Sequence, residues 1–424
     1  MSVRALNIGV SGLRAEGAAI GVVGDNVANV NTPGFKRQRA IFEDVFSRGN
    51  TGGSGTRLAE LGQAFTQGSL VQTGVPTDAA LNGEGFFIVA GNVNGVTGMF
   101  YSRAGQFHVD PNGSILDAGG MRVMGRALQA SGNLSAGLQP LTVPTGAAPA
   151  RATSDISLTA NLDASAEALT APFDPTNASE TSTTATGMVV YDSLGSPHSL
   201  DVYMNKLGPN QWEYRVVAPG DDLDPTQPGL PVEVGSGTLT FNSDGALLNF
   251  NEAAPINVNF LAATPGQAIA IDFGSSIGGG GTGLDGTTQF SMASGVSSQS
   301  QNGFSSGSFT GISIEPDGMV LGLYSNGQTS PVGQIQVAKF RSVDSLARAG
   351  NNLWAETSES GPAAVAPPGS GGRGQVTSGT IESSNVDLGD EMVSMIQHQR
   401  AFSASSKVIA TADDMLSQLM QLKR

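Results

Sequence analysis

Two apolar stripes with a seven-residue period lie at opposite ends of this 424-residue chain, and they constrain its fold more than any other feature. Apolar residues at alternating spacings of three and four form one narrow face of an α-helix, which is the pattern of a coiled-coil seam. The N-terminal stripe consists of Val3, Leu6, Val10, Leu13, Ile20 and Val27. The C-terminal stripe consists of Leu388, Met392, Met395, Phe402, Ile409, Leu416 and Met420. The sequence therefore predicts a helix with a pairing seam at each terminus.

Both predicted helices depend on a partner. Gly17 and Gly24 occupy two a positions of the N-terminal heptads, while Gln399, Ser406 and Asp413 interrupt the C-terminal seam. A glycine inside a helix costs up to about 1 kcal/mol relative to Ala, so the N-terminal helix is marginal alone. Either stripe by itself also fits an ordinary amphipathic helix packed on its own domain. Two stripes at opposite ends favour pairing with each other and with copies in other subunits.

Between the stripes the chain has the composition of strands and turns. It contains 58 glycines, only 13% charged residues and 39% apolar residues, which is too apolar for a disordered chain. One motif recurs at Phe107–Leu116, Leu239–Leu248 and Ile312–Leu321, each time as two apolar runs around a turn that ends in Gly. This pattern predicts three β-hairpins. The turns lack the spacing of a calcium-binding loop, so turn chemistry explains their acidic residues.

Composition also predicts a nested domain plan, because runs of Gly, Ser, Thr and Pro mark the boundaries. The fold class is mainly β with terminal α-helices, in which coiled-coil-like termini enclose two β domains. The predicted parts are terminal helices at 1–30 and 384–424, connecting segments at 31–72 and 361–383, an inner β domain at 73–147 and 302–360, and a distal β domain inserted at 148–301.

The sequence offers no recognisable chemistry. There is no cysteine, and His108, His198 and His398 are too far apart in sequence to suggest a metal site. No phosphate-binding loop or nucleophile elbow occurs in a credible context, so we expect no cofactor, no metal and no enzymatic activity. A net charge of −15 disfavours nucleic acid as a partner. No apolar run reaches 18 residues, and no cleavable signal is evident, so membrane insertion is not expected.

The segment NVANVNTPGFKRQ, from Asn26 to Gln38, follows the N-terminal stripe and ends the predicted helix. Asn29 and Asn31 favour the exit from the helix, and the turn residues Thr32, Pro33 and Gly34 follow. Phe35 is expected to anchor the chain, whereas Lys36 and Arg37 are expected to stay exposed. This segment resembles the signature of the rod and hook axial proteins of the bacterial flagellum.

Four further segments extend the resemblance over nearly the whole chain and make it most similar to the hook members of that family. They are ALNGEGFFIVAG with MFYSRAGQFHVDPNGSIL, VVYDSLGSPHSLDVYM, SIEPDGMVLGLYSNGQTSPVGQIQVAKF and SSNVDLGDEMVSMIQHQRAF. The resemblance implies a structural subunit that self-assembles into the flexible, curved tube of the flagellar hook. Such a tube acts as a universal joint and transmits torque from rod to filament.

The resemblance also implies partners and a location. The partners are copies of the chain itself, a rod protein, the hook cap, the hook–filament junction protein and the flagellar type III export apparatus. The location is extracellular, in the hook of the flagellum, after export without a cleaved signal peptide. Two alternatives stay open at this point: a distal rod subunit of the same family, and a secreted carbohydrate-binding or adhesive β protein.

Overall fold

The computed structural model describes residues 2–46, 53–129, 131–224 and 229–422, which form two compact units. Unit 1 comprises Met1–Thr145, Thr310–Leu323 and Thr329–Arg424, and unit 2 comprises Gly146–Phe309 and Tyr324–Gln328. Unit 2 is therefore almost entirely one insertion into the sequence of unit 1. The finer domain boundaries predicted from composition stay predictions.

Two long helices stand at the ends of the described chain, α1 over Ser2–Ala28 and α2 over Leu388–Leu422. The carboxylate of Asp387 caps α2, because its Oδ1 accepts hydrogen bonds from the backbone nitrogens of Gly389 at 2.7 Å and Asp390 at 3.2 Å. Nearly everything between the helices is strand or turn. The predicted fold class, mainly β with terminal helices, is confirmed.

Unit 1 contains the strands on both sides of the insertion, and most of them join one large sheet. Its strands are β1 (Gln38–Phe46), β2 (Gly53–Gln63), β3 (Leu70–Gln72), β4 (Ala79–Asn82), β5 (Phe86–Val93), β6 (Val96–Ser102), β7 (Phe107–Val109), β8 (Ile115–Asp117), β9 (Arg122–Ala127), β10 (Gln139–Pro140), β20 (Phe309–Ile314), β21 (Met319–Tyr324), β22 (Thr329–Ile335), β23 (Val337–Lys339), β24 (Ala347–Gly350), β25 (Leu353–Ala355), β26 (Ala364–Ala366), β27 (Gln375–Ser378) and β28 (Thr380–Glu382). The main path of the sheet runs β20-β21-β22-β9-β5-β6-β25-β24. Strands from before and after the insertion thus share one sheet.

An aromatic cluster forms part of the core of unit 1. The ring of Phe86 lies 5.6 Å from Phe65, 5.6 Å from Trp354 and 6.0 Å from Phe340, measured between ring centroids. Tyr101 packs edge-on against Phe340 at 4.7 Å. Edge-to-face and tilted packing of this kind is favourable beyond the area that it buries. Residues on both sides of the insertion in sequence therefore share one core.

Unit 2 is built from two sheets that enclose a single hydrophobic core. Its strands are β11 (Asp155–Asn161), β12 (Thr184–Tyr191), β13 (Pro197–Gly208), β14 (Gln211–Pro219), β15 (Pro231–Phe241), β16 (Leu247–Ala254), β17 (Ile256–Val258), β18 (Gln267–Asp272) and β19 (Gly295–Gln301). One sheet has the order β12-β13-β14-β15-β16 and the other β17-β18-β11-β19. Trp212 is fully buried between them and donates from Nε1 to Oε1 of Gln289 at 2.9 Å.

All three repeats of the turn motif form the predicted hairpins. Strands β7 and β8 pair around Gly113, β15 and β16 around Gly245, and β20 and β21 around Gly318. Each of these glycines has a positive φ between 80° and 84°, the left-handed region that such turns require. In two of the turns a side chain at the start, Asp110 or Asn242, accepts hydrogen bonds from backbone nitrogens two and four residues later.

Candidate functional site: the paired terminal helices

Helices α1 and α2 pack against each other in antiparallel orientation. Nδ1 of His398 lies 2.6 Å from Oε2 of Glu16 in the middle of the pair, and Asn26 donates to Oε2 of Glu391 at 3.2 Å near one end. Ala19 on α1 and Ala412 on α2 are fully buried. The two predicted stripes therefore meet within one molecule, although their residues are more than 350 positions apart in sequence.

Glycines on one side of α1 permit the close contact between the helices. A Cβ atom added at Gly9 would lie 2.7 Å from Cγ1 of Ile409, and one added at Gly12 would lie 2.8 Å from Oγ of Ser405. Carbon atoms in contact prefer a separation of about 3.5 to 4.0 Å, so a methyl group at Gly9 would push the helices apart. These two positions are used inside the subunit.

A second side of α1 is covered by the hairpin of β1 and β2. Oγ of Ser11 accepts a hydrogen bond from the backbone nitrogen of Thr56 at 3.2 Å, and Ala15 and Val22 are buried on this side. Sequence composition had indicated only a connecting segment here. Residues 47–52, which connect the two strands in sequence, lie outside the described residues.

A third side of α1 is open. Beyond the backbone of the helix itself, no described atom lies within 4 Å of an added Cβ at Gly21 or Gly24, and the nearest atom to one at Gly17 is Cε2 of Phe402 at 3.9 Å. The apolar residues of the stripe that share this side of α1 are half-buried, and Met392, Met395 and Phe402 of α2 are half-buried or exposed. We call this surface the terminal groove and define it by Leu6, Val10, Leu13, Gly17, Ile20, Gly21, Gly24, Met392, Met395 and Phe402.

The predicted seam residues divide between the helix contact and the groove. Ile409 faces α1, Leu416 is half-buried, and Phe402 contacts α1 while staying 39% exposed. Leu388, Met392 and Met420 are exposed, and Val27 is half-buried. The side chain of Val3 lies outside the described residues. The most buried apolar residues of α1 are instead Ala15, Ala19, Val22 and Val23, which flank the predicted stripe.

The signature segment ends α1 and returns the chain to the β domain. Asn29 donates to the backbone oxygen of Asp25 at 2.9 Å and accepts from Oγ1 of Thr32 at 3.0 Å, while Asn31 stays exposed. Gly34 has a φ of 71°, and an added Cβ there would lie 2.5 Å from the backbone nitrogen of Ala104. Gly34 is therefore required by both its conformation and its close packing.

Two further residues of the signature hold this turn against the β domain. The backbone oxygen of Pro33 accepts a hydrogen bond from Nδ2 of Asn352 at 2.7 Å. Phe35 is only 2% exposed, as predicted for an anchor, and the guanidinium of Arg348 lies 5.6 Å from its ring centroid.

The prediction that Lys36 stays exposed is wrong. Its Nζ is fully buried and lies 2.6 Å from Oε1 of Glu382 and 2.8 Å from the backbone oxygen of Thr66. Arg103 approaches the same carboxylate from the other side, with Nη1 3.3 Å from Oε2 of Glu382. Burial lowers the pKa of Lys36, and the nearby charge of Arg103 lowers it further, while Glu382 opposes both effects. The cause of the error is that Lys36 and Glu382 are 346 residues apart in sequence, so the sequence alone does not show that they pair.

A second polar cluster joins the ends of the two helices to each other. Asn26 is fully buried, donates to the backbone oxygen of Gln38 at 2.7 Å and accepts from its nitrogen at 2.9 Å. Glu391 is buried and pairs with both Asn26 and half-exposed Arg37. Asn385 accepts from the backbone nitrogen of Arg37 at 2.7 Å and donates to the oxygen of Ala64 at 2.7 Å. Sequence reasoning had not singled out Arg103, Glu382, Asn385 or Glu391.

Comparison with known proteins identifies the family. Four family models match: "Flagella basal body rod protein" at residues 6–36, "Flagellar hook protein FlgE/F/G D1 domain" at 80–191, "Flagellar basal body protein FlaE D2 domain" at 161–304, and "Flagellar basal body rod FlgEFG protein C-terminal" at 377–422. The flagellar hook protein FlgE of Salmonella typhimurium is 35% identical over 98% of both chains. That of Treponema pallidum is 33% identical over 100% of both, and that of Escherichia coli is 33% identical over 98% of both. This chain belongs to the flagellar hook protein family.

This hook subunit is thus a structural protein of the bacterial flagellum, and the full-length match favours hook over distal rod. Among solved structures, the Helicobacter pylori flagellar hook protein FlgE2 matches 67% of this chain and 93% of its own length, with 14% identity and a TM-score of 0.47. Neither described helix of the hook subunit is long and apolar enough to cross a membrane.

In this hook subunit, the two buried polar clusters link the two segments that the rod-type models match. Lys36 and Asn26 lie in the N-terminal match, whereas Glu382 and Glu391 lie in the C-terminal match. The sequence signal that could have revealed these clusters is the position of their charged residues. Lys36 follows the end of α1, Glu382 precedes the start of α2, and Glu391 lies in the first turn of α2. We conclude that the clusters hold the helix pair on the β domain.

Proposed function

We propose that the terminal groove is the surface through which subunits polymerise, and that its occupant is a terminal helix of a neighbouring copy. The supporting observation is that Gly21 and Gly24 have free space where a Cβ would stand, whereas Gly9 and Gly12 are filled by α2. A glycine inside a helix weakens that helix. Where the glycine serves no contact within the monomer, close approach by the backbone of a neighbouring subunit explains its presence. The proposed polymerisation interface consists of the seam residues Val3, Leu6, Val10, Leu13, Ile20, Val27, Leu388, Met392, Met395, Phe402, Ile409 and Leu416. Within this set, Ile409 also packs on α1 inside the subunit.

The apolar surface of α2 supports the same assignment. Leu388, Met392, Val393 and Ile396 are each between 47% and 56% exposed. A row of exposed large apolar side chains along one helix is unusual on a monomeric protein and is typical of an interaction surface. Because α1 already packs on the opposite side of α2, the proposed partner of this exposed side is a terminal helix of a neighbouring subunit.

The contact is head-to-tail rather than two-fold symmetric, so it generates an open helical tube and not a closed ring. In this proposal the terminal helices line the tube, and the rest of each subunit consists of the inner β domain at 73–147 and 302–360 and the distal β domain at 148–301. The tube is flexible and curved and transmits torque from rod to filament. The subunit has no catalytic role.

Its other partners follow from its position in the flagellum. The tube contacts the rod at one end, and the hook cap or the hook–filament junction protein at the other. Subunits pass through the type III export apparatus without a cleaved signal peptide, with termini that become ordered on assembly.

The interface is tested by placing a charge in it. Leu13→Asp and Phe402→Asp should each abolish polymers, because a carboxylate cannot be desolvated among apolar side chains without a partner. The measurement is sedimentation and electron microscopy of the purified full-length chain, together with the count of hooks in cells that carry each variant.

Val96→Asp is the matched control, since Val96 is 63% exposed on β6 and does not belong to the terminal groove. It should assemble normally. Hooks of normal length from Leu13→Asp and Phe402→Asp would refute the assigned interface.

A further inference from the structure

A cleft in the β domain of unit 1 lies outside the helix pair and is not used by the proposed interface. It has a volume of about 290 Å³. Phe65, Phe86, Phe340 and Val343 form its apolar walls. A water molecule occupies about 30 Å³ of liquid, so the cleft has room for a side chain but is small for a cofactor.

The charged residues of the cleft are mainly cations, in a chain whose net charge is −15. Arg103 lies at the back of the cleft, and Lys339 and Arg341 lie along it. Glu84 is the single carboxylate in the lining, and its Oε2 is 2.6 Å from Nζ of Lys339. Lys339 therefore holds Glu84, whereas Arg341 is exposed and its charge faces solvent.

Arg103 is buried in the wall of the cleft, where hydrogen bonds hold its guanidinium in place. It is 4% exposed, with Nη2 donating to the oxygen of Gly83 at 2.8 Å and Nη1 paired with Glu382. Its Nε is buried and has no hydrogen-bond partner among the described residues. A buried guanidinium N–H without an acceptor is costly, and an incoming oxygen atom would remove that cost.

The charges around Arg103 also favour an anionic occupant of the cleft. Arg103 and Lys36 share one buried carboxylate, that of Glu382. Glu84 also attracts Arg103, but its side chain is exposed and paired with Lys339. The two buried cations therefore face one buried anion, which leaves an excess of positive charge in a dry region, where charges are weakly screened. A carboxylate entering the cleft would compensate it.

We propose that this cleft receives an acidic side chain from a neighbouring copy of the chain, as a second contact between subunits at the level of their β domains. This inference rests on the proposed polymerisation. Charge complementarity selects the occupant: the chain has 36 acidic residues against 21 basic ones, so a neighbouring copy presents many carboxylates to this local cationic cleft. The aromatic walls contact the apolar stem of the side chain, and Arg103 Nε and Arg341 bind its carboxylate.

The test reverses one charge at the mouth of the cleft. Arg341→Glu should raise the critical concentration for polymerisation of the purified full-length chain about tenfold or more, because like charges across an interface repel and the binding cation is lost. Arg341→Lys keeps the charge and should assemble with a much smaller change. Arg122→Glu makes the same change at an exposed site on β9 and should have no effect beyond that of net charge.

The possible outcomes separate this inference from the proposed function. If Arg341→Glu and Arg122→Glu polymerise equally well while Leu13→Asp does not, the cleft contact is wrong and the helix interface stands. If wild-type chain forms no polymer, both fail. A third outcome combines two measurements. Sodium acetate stabilises the wild-type monomer against heat but does not stabilise the Arg341→Glu monomer, and the two proteins polymerise equally well. In that case the cleft binds small carboxylates and does not bind a second copy.

Discussion

At the scale of single residues, Glu382 is the group on which most contacts of the terminal region converge. Its carboxylate accepts from Lys36 at 2.6 Å, from the backbone nitrogen of Gly68 at 2.9 Å and from Arg103 at 3.3 Å. Its own backbone oxygen accepts from the nitrogen of Gly34 at 2.7 Å. One buried side chain thus connects the signature segment, the β domain and the strand that leads to α2.

Removing the charge of Glu382 should destabilise unit 1 strongly. Glu382→Gln leaves Lys36 and Arg103 buried without a counter-ion, and breaking a buried pair in this way costs about 3 to 5 kcal/mol. The measurement is urea unfolding followed by fluorescence in a Trp212→Phe background. That background leaves Trp354 as the remaining tryptophan, and it reports on unit 1.

Glu43→Gln is the control for this prediction. Glu43 pairs with Arg57 on the surface, where both side chains are well exposed, and such pairs contribute little. Equal unfolding midpoints for the two variants would show that the Lys36–Glu382–Arg103 cluster does not stabilise the fold.

At the scale of elements, the side of α1 with Gly9 and Gly12 packs on α2 inside the subunit, whereas the side with Gly21 and Gly24 is the proposed contact between subunits. Gly9→Ala should disrupt the monomer, since its methyl group collides with Ile409. Gly21→Ala and Gly24→Ala should instead strengthen the helix by up to about 1 kcal/mol each and still prevent polymerisation, because they fill the terminal groove. Far-UV circular dichroism of the monomer and sedimentation of the polymer measure the two effects separately.

This set of glycine variants is decisive because it predicts opposite signs for helicity and assembly. If Gly21→Ala and Gly24→Ala gain helicity and polymerise as well as wild type, the open side of α1 is not an interface. A loss of helicity in these two variants would contradict the free space seen beside them.

Sequence patterns predicted the elements well where the information is local. The heptad stripes predicted both helices, and the Gly-ended turns predicted the three hairpins, because each depends on a few adjacent residues. The β1–β2 hairpin was missed, since the Gly, Ser and Thr residues from Asn50 to Gly55 have the composition of a linker. The buried pair of Lys36 and Glu382 was missed because its partners meet only through tertiary structure, and local rules treat a Lys after a turn as exposed.

At the scale of the whole molecule, the chain consists of two units, each with its own core and one of the two tryptophans. Trp212 reports on unit 2 and Trp354 on unit 1, and both are buried, as expected of core residues rather than of a stacking platform for sugars. Denaturation of each unit is therefore measurable separately in one chain.

Unit 2 should lose stability at high pH because of Tyr214. Burial raises the pKa of this tyrosine to about 12, with a smaller contribution from Glu252. The folded pKa lies above the unfolded value of 10.0, so the contribution of Tyr214 is complete below pH 10 and is lost as the pH rises through 12. The loss amounts to roughly 2 to 3 kcal/mol.

Tyr214→Phe should remove this loss and flatten the alkaline dependence of unit 2, measured from Trp212 in a Trp354→Phe background. Burial also raises the pKa of Tyr101 to about 12 in unit 1, so Tyr101→Phe should act on unit 1 alone. An unchanged alkaline profile in Tyr214→Phe would show that another group controls it.

The pairing of α1 with α2 has a consequence for how the protein is made. Helix α1 precedes every strand and α2 follows them all, so the glycine-rich face of α1 leaves the ribosome long before its partner is translated. During that interval the apolar residues of α1 are not buried by α2. The contact between α1 and α2 joins segments from opposite ends of the sequence, so its formation has a large entropic cost of loop closure. Incomplete chains are therefore expected to associate with one another through this face of α1 more readily than finished chains do.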